Sequence, residues 1–384
     1  MIQFLAILCA VLFIFPYTIY PGLLLLWKCF FTKEMIPKER VEDYQPQVTL
    51  LIAAYNEEKV IADKIQNSLA LNYPASFLEI IIASDGSTDK TNEIVNRFTM
   101  EHKNVKLLAF EIREGKANVL NKAIAYCSGE IIFFSDANAI YNHDAIINGI
   151  RHFINPRVGC VAGEKRIVQS YGDDIDFKEG FYWKLESLIK SAESKIKTVI
   201  GADGALYAIR RKLYEKLPSD TAVDDFLESM LIVKKGYKII YEPESYSMES
   251  SGGSYKREFN RKVRIAAGNY KNLRYLGYFF KPNVISFMFI SHKFLRWISP
   301  VILLTLTFFF VRLSFSFVIY QFILLLLVMT YLVGFIGILF ADVPFFQKKS
   351  FSFIAYFYLT VWAQLIGFIR FLKGNQKAAW EKMR

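Results

Sequence analysis

Three carboxylates stand where apolar runs of the chain end. Asp85 follows IIIAS, Asp136 follows IIFFS, and Asp225 closes TAVDD. We interpret these runs as buried central strands, whose carboxyl ends gather ligands in open α/β sheets. Three acids at one edge predict a site for a divalent cation and a phosphorylated ligand, with one acid left for proton transfer. The alternative, a set of helix caps and turn residues, suits Asp89 and Asp144 better.

The segments that must position these acids alternate between strand and helix patterns. From residue 46 onward, the run VTLLIAA precedes helical spacing over 57–69, and LEIIIAS, VKLLAF and EIIFFS follow with helical segments between them. This repetition predicts an α/β fold with a mainly parallel sheet and helices on its faces. No GxGxxG or GxxxxGK[ST] follows a strand, which argues against a dinucleotide dehydrogenase or a P-loop enzyme.

The composition indicates a soluble domain held between membrane segments. Of the 384 residues, 53% are hydrophobic and 16% aromatic, and the apolar excess lies at the two ends. The net charge is +11, but many basic residues flank the apolar blocks, so we expect membrane lipid rather than nucleic acid as their partner. The four cysteines have neither zinc-site nor CxxC spacing and read as reduced thiols.

The N-terminal run, residues 1–27, has no charged side chain. A helix of this length crosses a hydrocarbon core of about 30 Å. It lacks the basic start and the small-residue site of a cleaved signal peptide, so we predict an uncleaved transmembrane anchor. Lys28, Lys33, Lys38 and Arg40 follow, which predicts that the next domain lies in the cytoplasm.

The remaining boundaries come from apolarity and charge. Residues 255–293 read as basic amphipathic interface helices lying on the membrane. We predict a C-terminal transmembrane region over 294–372, with spans at Trp297–Val311 and Phe317–Phe340. The sequence leaves open whether the segment 351–372 crosses the membrane, because a basic tail, 373–384, follows it.

Six ordered motifs carry a family resemblance. They are AAYNEE (53–58), SDGSTD (84–89), GKANVLN (115–121), SDAN (135–138), GADGALYAIRR (201–211) and VDDF (223–226). In this order they resemble membrane-anchored family 2 glycosyltransferases of the GT-A fold, related to cellulose, hyaluronan and poly-N-acetylglucosamine synthases. The resemblance implies a GT-A catalytic domain over 46–254 in a multi-pass protein of the cell membrane, with this domain on the cytoplasmic side.

The resemblance implies a nucleotide-sugar site at the first strand ends. Its members would be Ala53, Tyr55, Glu57, Asp85, Lys116, Asp136 and Arg264. Asp85 would accept a hydrogen bond from the base, and Lys116 would reach the diphosphate. Glu57 reads equally well as a first-turn acid favoured by a helix dipole, and Lys116 as a solvated surface lysine.

Asp136 and Asn138 occupy the family's DxD position. Alternate residues of an extended segment point the same way, so both oxygens can face one cation. Oxygen ligands suit Mg²⁺ or Mn²⁺. Because Asn138 removes one charge, we expect Asp136, the donor diphosphate and water to supply most ligands.

The resemblance makes Asp225 the general base, which takes the proton of an acceptor hydroxyl as that oxygen attacks the anomeric carbon. Such an in-line displacement inverts the anomeric configuration. Asp224 reads as a capping or supporting acid. Gly201 and Gly204 are expected to let the acceptor approach the backbone, and Asp203 to contact the acceptor or shape the turn.

The function this implies is transfer of a sugar, from a donor we expect to be UDP-linked, to a lipid-linked or glycan acceptor. Arg261 and Ile265 stand where processive synthases carry the Gln and Trp of QxxRW, which favours limited transfer over polymer synthesis. A processive exopolysaccharide synthase is the alternative, and a nucleotidyltransferase or an inert nucleotide-sugar-binding partner fits less well. A homo-oligomer or a partner subunit would be needed to complete a wide secretion channel.

Overall fold

A single mixed sheet forms the centre of the molecule. The computed structural model describes residues 1–30, 44–168, 174–250, 255–340 and 349–374. The eight strands of the described sheet have the order β3-β2-β1-β4-β7-β6-β8-β5. They are β1 (Val48–Ala54), β2 (Leu78–Asp85), β3 (Val105–Phe110), β4 (Ile131–Asp136), β5 (Ile140–Tyr141), β6 (Val158–Val168), β7 (Tyr207–Arg210) and β8 (Lys238–Ser250). The predicted α/β class with a mainly parallel sheet is confirmed.

The pairing of the first four strands fixes where a ligand can bind. Strand β1 pairs in parallel with β2 on one side and with β4 on the other. The connections therefore run in opposite directions from β1, which creates a crevice at the carboxyl ends of β1 and β4. In that register Ala53 is the partner of Asp136. Every residue of β1 and β2 is buried, as continuous apolar runs of central strands require.

Thirteen α-helices surround this sheet among the described residues. In chain order they are α1 (Ile2–Ile14), α2 (Tyr20–Trp27), α3 (Ile61–Leu69), α4 (Thr91–Glu101), α5 (Lys116–Ala123), α6 (Ala145–Ile150), α7 (Asp174–Ile196), α8 (Asp224–Lys234), α9 (Tyr255–Asn272), α10 (Val284–Phe289), α11 (Leu295–Ser314), α12 (Val318–Leu339) and α13 (Lys349–Leu372).

Four helical segments are long and apolar enough to cross a membrane. They are Ile2–Phe30, Val284–Ser314, Val318–Leu339 and Phe353–Leu372. The second begins at Val284, ten residues before the predicted start of the C-terminal transmembrane region, because α10 and a short π-helix continue into α11. The last segment, left open by the sequence, is a full candidate span. Most of the basic residues after the first segment, and the tail from residue 375, lie outside the described residues.

The apolar face of helix α9 packs differently from the expectation. The sequence predicted that its apolar positions lie on the membrane surface. In the structure Val263 and Ala266 are fully buried, and Gly367 of α13 packs against both. A Cβ added at Gly367 would lie 2.5 Å from the Cβ of Ala266, so the two helices touch at a glycine. The apolar face of α9 is therefore covered by protein.

Candidate functional site

One cavity of about 500 Å³ lies over the carboxyl ends of β1 and β4. It gathers ten of the twelve predicted site residues, which are Tyr55, Glu57, Lys116, Asp136, Asn138, Gly201, Asp203, Gly204, Asp225 and Arg264. Their positions in the sequence differ by up to two hundred residues, so the sheet register and helix packing are what bring them together. Ala53 and Asp85 do not line it.

Asp85 supports the cavity from behind instead of facing it. Its side chain is fully buried, and its two carboxylate oxygens accept the backbone N–H groups of Glu114 and Gly115 at 2.7 and 2.8 Å. These amides belong to the turn immediately before Lys116. In this structure the carboxylate of Asp85 therefore holds this turn, whereas the sequence analysis expected it to accept a hydrogen bond from a base. Ala53 is likewise buried in the core.

Lys116 is the charge that organises the donor side of the cavity. Its Nζ donates to Asp136 Oδ1 at 2.8 Å and lies 3.5 Å from Asp224 Oδ2. Burial opposes its charge, yet Asp136, Asp224 and Asp225 together hold the pKa of Lys116 above its ordinary value. The interpretation of Lys116 as a solvated surface lysine is wrong, since 18% of its side chain is exposed.

Asp136 is held in its ionised form. Burial acts to raise its pKa, but Lys116 and, from further away, Lys165 and Arg264 keep the pKa of Asp136 below its usual value. Arg264 lies on α9 and donates to the carbonyl of Ala222 at 3.2 Å. A cluster of cations around one carboxylate is suited to a polyanionic ligand, which would share these cations.

Asp225 reaches the cavity from a helix rather than from a strand. It is the second residue of α8, and the chain before it is a loop, so the expected strand before Asp225 was wrong. The VDDF signal belongs to the first turn of a helix, where acids are favoured by the helix dipole. Burial and the neighbouring Asp224 raise the pKa of Asp225 to about 7, although Lys116 opposes the shift. A carboxylate with such a pKa is suited to accept a proton near neutral pH.

Beneath Asp225 lies a carboxylate that the sequence analysis missed. Glu228 is one helical turn beyond Asp224 and is buried, and the hydroxyl of Tyr207 donates to it at 2.7 Å. Burial, with the charges of Asp224 and Asp225, raises the pKa of Glu228 to about 8. The i, i+4 spacing from Asp224 was the signal available in the sequence. A carboxyl with this pKa is mainly protonated at neutral pH, so Glu228 places little negative charge under the proposed base.

The loop 201–204, called the acceptor loop after its predicted role, contains two glycines with different surroundings. Gly201 has φ +89°, and a Cβ there would lie 2.2 Å from the ring of Phe226, so its space is filled by that ring rather than by an acceptor. At Gly204 a Cβ would lie 3.1 Å from Asp225 Oδ2 and 3.3 Å from Lys116 Nζ. Gly204 therefore keeps the space beside Asp225 open. Asp203 is paired with Lys190 of α7.

The metal prediction rests on two oxygen donors. Asp136 and Asn138 both line the cavity. Within the described residues no three His, Cys, Asp or Glu side chains are grouped to hold a metal ion by themselves. The donor set fits Mg²⁺ or Mn²⁺ only if the ligand and water complete the coordination, which a diphosphate can do.

The far wall of the cavity comes from the candidate membrane segments. Tyr17 precedes α2, Arg296 and Trp297 belong to α11, and α13 contributes a row of residues that face the cavity. That row is Phe353, Tyr356, Phe357, Thr360 and Gln364. The rings of Tyr17 and Phe357 pack edge to face at 5.2 Å, so the first and last candidate spans meet there.

Comparison with known proteins identifies the sheet and its site. Residues 49–217 match the model of the glycosyl transferase family 2. Residues 49–217 are a family 2 glycosyltransferase domain. The matched residues include Asp85, Lys116, Asp136 and the loop 201–204, whereas Asp225 and Arg264 follow them.

Two curated relatives are 30% identical to this chain over the matched residues. One is a probable glycosyltransferase, YdaM, of Bacillus subtilis strain 168, matched over 64% of this chain and 61% of that protein. The other is the poly-beta-1,6-N-acetyl-D-glucosamine synthase of Staphylococcus epidermidis, matched over 59% of this chain and 55% of that protein. The matches thus span less than two thirds of either relative.

A solved structure shares the fold of this chain over nearly its whole length. The mannosyltransferase PcManGT from Pyrobaculum calidifontis, in complex with GDP-Man and Mn²⁺, superposes with a TM-score of 0.75. The superposition covers 97% of this chain and 99% of that one at 21% identity. The expected GT-A fold is confirmed.

The chain also contains a buried polar cluster that the sequence analysis missed. His292 is fully buried, with Nδ1 2.8 Å from Glu193 and Nε2 3.1 Å from Glu186. Glu193 accepts the hydroxyl of Tyr20 at 2.7 Å and the backbone N–H of Ile200 at 3.0 Å. The cluster therefore ties the acceptor loop to two candidate spans. The sequence signal for this cluster was a histidine inside an apolar run, because an ionisable side chain in such a run is costly to bury without polar partners.

Proposed function

We propose that this protein is an inverting membrane glycosyltransferase. It transfers a sugar from a nucleotide-sugar, UDP-linked in our proposal, to a lipid-linked or glycan acceptor. The transfer takes place at the cytoplasmic face of the cell membrane. The observation that carries the proposal is one continuous cavity that contains Lys116, Asp136 and Asp225 at one end and residues of three candidate membrane segments at the other.

The donor end suits a nucleoside diphosphate. Lys116 and Arg264 bring positive charge to the crevice at the strand ends, where phosphates bind in open α/β sheets. Tyr55 lines the same end and presents an aromatic ring, against which the guanidinium of Arg113 stacks at 3.8 Å. The turn anchored by Asp85 sets the position of Lys116.

The chemistry is a single displacement. The acceptor hydroxyl gives its proton to Asp225, its oxygen forms a bond to the anomeric carbon, and the bond from that carbon to the diphosphate oxygen breaks. Attack opposite the leaving group inverts the configuration. Lys116 stabilises the negative charge that develops on the leaving diphosphate. Gly204 leaves the room beside Asp225 that the acceptor oxygen needs.

Asp136 and Asn138 would hold a Mg²⁺ or Mn²⁺ ion together with the diphosphate. Such an ion neutralises charge on the leaving group. If this is right, transfer stops in excess EDTA and returns on adding Mg²⁺ or Mn²⁺, and Asp136→Asn leaves little activity at any metal concentration. Full turnover in EDTA would exclude a metal requirement.

The deciding experiment is a donor screen with the full-length protein in lipid nanodiscs. UDP- and GDP-linked sugars are each incubated with membrane-lipid extract, and both transfer to lipid and release of free sugar are measured. We expect one donor to be used and the product to have the inverted anomeric configuration by NMR. Retained configuration, or the absence of turnover with every donor, would overturn the proposal.

The second candidate is a processive exopolysaccharide synthase. It is favoured by the similarity to the Staphylococcus epidermidis synthase. Against it, Ile265 rather than an aromatic residue lines the cavity beside Arg261. Gel analysis of products from a radiolabelled donor separates the two, because limited transfer gives one or a few added sugars and a processive synthase gives a high-molecular-weight ladder.

A further inference from the structure

The inward face of α13 is unusually polar for a candidate membrane helix. Thr360 and Gln364 are four residues apart, which puts them on one side of the helix, and both line the cavity. The hydroxyl of Thr360 donates to the carbonyl of Tyr356 at 2.9 Å. The Oε1 of Gln364 is buried and has no hydrogen-bond partner among the described residues.

A buried amide oxygen without a donor is unfavourable, so such an atom in a cavity wall points to a ligand that donates to it. At membrane depth a polar atom without a partner is costly, and it is tolerated where it faces a cavity that a ligand or water can enter. For packing alone, a Leu or Phe at position 364 would serve α13 equally well. Gln364 therefore needs an explanation that packing does not give.

The place of Gln364 in the cavity limits what the ligand can be. One turn beyond it, Gly367 is packed against Ala266 of α9, and two turns before it, the ring of Phe357 meets Tyr17. Gln364 thus lies in the membrane-helix wall, the part of the cavity lined by residues of the candidate membrane segments, and we expect a lipid acceptor to enter from this side.

The cations Arg296 and Lys293 of this wall are already paired with Glu186, so the wall favours a neutral, hydroxyl-bearing group. A carboxamide both donates and accepts, which matches a hydroxyl, whereas phosphate is bound best by cations. The nearby cation Lys262 lies over the rings of Tyr182 and Tyr356, 5.1 and 4.9 Å from their centres, and close to Glu258. Aromatic rings beside an amide suit the apolar faces and hydroxyls of a sugar or a glycerol.

We propose that Gln364, supported by Thr360, binds a hydroxyl of the acceptor's headgroup and selects membrane lipids that carry neutral hydroxyl-bearing headgroups. This inference rests on the proposed function and names the acceptor class for the same site. The headgroup hydroxyls belong to a glycosylated lipid or to the glycerol of a diacylglycerol, and the two share the chemistry that Gln364 recognises.

The test uses the full-length protein in nanodiscs and two matched variants. Gln364→Leu removes the amide while keeping the size and apolarity of a membrane helix. Gln321→Leu makes the same change on α12, where Gln321 is exposed and donates to the carbonyl of Ser314. Gln364→Glu keeps an oxygen that accepts a hydrogen bond. Transfer is measured against the mole fraction of acceptor lipid, and release of free sugar from the donor is measured beside it.

We expect Gln364→Leu to raise the acceptor KM about tenfold and to lower the ratio of transfer to donor hydrolysis, because one hydrogen bond to the acceptor is lost. Gln364→Glu should recover part of the loss, and Gln321→Leu should match the parent. An unchanged acceptor KM in Gln364→Leu, or a parallel loss of transfer and hydrolysis, would overturn the inference and leave the proposed function standing. If the parent neither hydrolyses nor transfers any donor, the proposed function itself fails.

The source of the hydroxyl is decided by three nanodisc compositions. Each contains a neutral phospholipid, with diacylglycerol, a glucosylated diacylglycerol or an anionic phosphatidic acid added. Use of either of the first two supports the inference and identifies the source. Preferred use of phosphatidic acid would overturn it, since the headgroup recognised would then be a phosphate.

Discussion

The two walls of the cavity are built in different ways. The sheet-edge wall carries the charges Lys116, Asp136 and Asp225, and strand register sets its geometry, as in the pairing of Ala53 with Asp136. The membrane-helix wall joins Tyr17 to Phe357, residues from opposite ends of the described chain. Charged residues near strand ends lie in recognisable sequence motifs. A wall made by packing helices that are distant in the sequence has no such motif. The chemistry is therefore concentrated on one wall, and we assign selection of the acceptor to the other.

The largest effect should come from the base on the sheet-edge wall. Asp225→Asn removes proton acceptance with almost no change in shape, so we expect turnover to fall about 10²–10⁴-fold. Calorimetric titration with the nucleoside diphosphate should show little change in affinity. Asp224→Asn should be milder, since Asp224 pairs with Lys116 and only influences Asp225. Equal losses in the two variants would remove Asp225 from the role of base.

The same wall should set the pH dependence. The base works only when ionised, and burial with Asp224 raises the pKa of Asp225 to about 7. Turnover should therefore be full above that pH and fall about tenfold per unit below it. Asp224→Asn removes a negative charge that raises this pKa, so the acidic limb should move to lower pH. A limb that does not move in Asp224→Asn would show that Asp225 does not control it.

A medium effect is expected from the residue that supports Lys116. Asp85→Ala removes the carboxylate that accepts hydrogen bonds from the backbone N–H groups of Glu114 and Gly115. Such bonds contribute about 1.5–3 kcal/mol each, so loosening this turn should weaken nucleoside diphosphate binding by about tenfold or more. Isothermal titration measures it, with circular dichroism to check the fold. Unchanged affinity would mean that the turn does not position Lys116 for the donor.

The smallest effect on transfer should come from the link between the walls. Glu193→Gln weakens the contacts that join Ile200 to Tyr20 and His292, so the acceptor loop should shift and transfer should fall severalfold, with donor affinity kept. Glu186→Gln is the matched control on the same helix, because Glu186 contacts His292 and Arg296, whereas Glu193 binds Ile200 beside the loop. Equal transfer in the two variants would show that the link is structural only.

Sequence patterns predicted the sheet-edge wall better than the membrane-helix wall. Strands β1, β2 and β4 were identifiable because buried central strands are continuous apolar runs. Asp225 was assigned to a strand end because a helix's first turn after two small apolar residues gives the same local pattern. The helix α9 was assigned to the membrane surface because its apolar stripe does not reveal what covers it. Val263 meets α13, a contact that no local pattern encodes.

The contribution of α13 to the cavity has a consequence for the order of synthesis. The ribosome makes every acid of the catalytic domain before it makes Thr360 and Gln364. Domains begin to fold while the chain is still being translated. A nascent chain can therefore form its sheet and hold its donor-side residues in place while one side of the cavity is still open to water. Packing of α13 closes that side, so under the proposed function the protein can accept a lipid only after this last helix has been made and has packed.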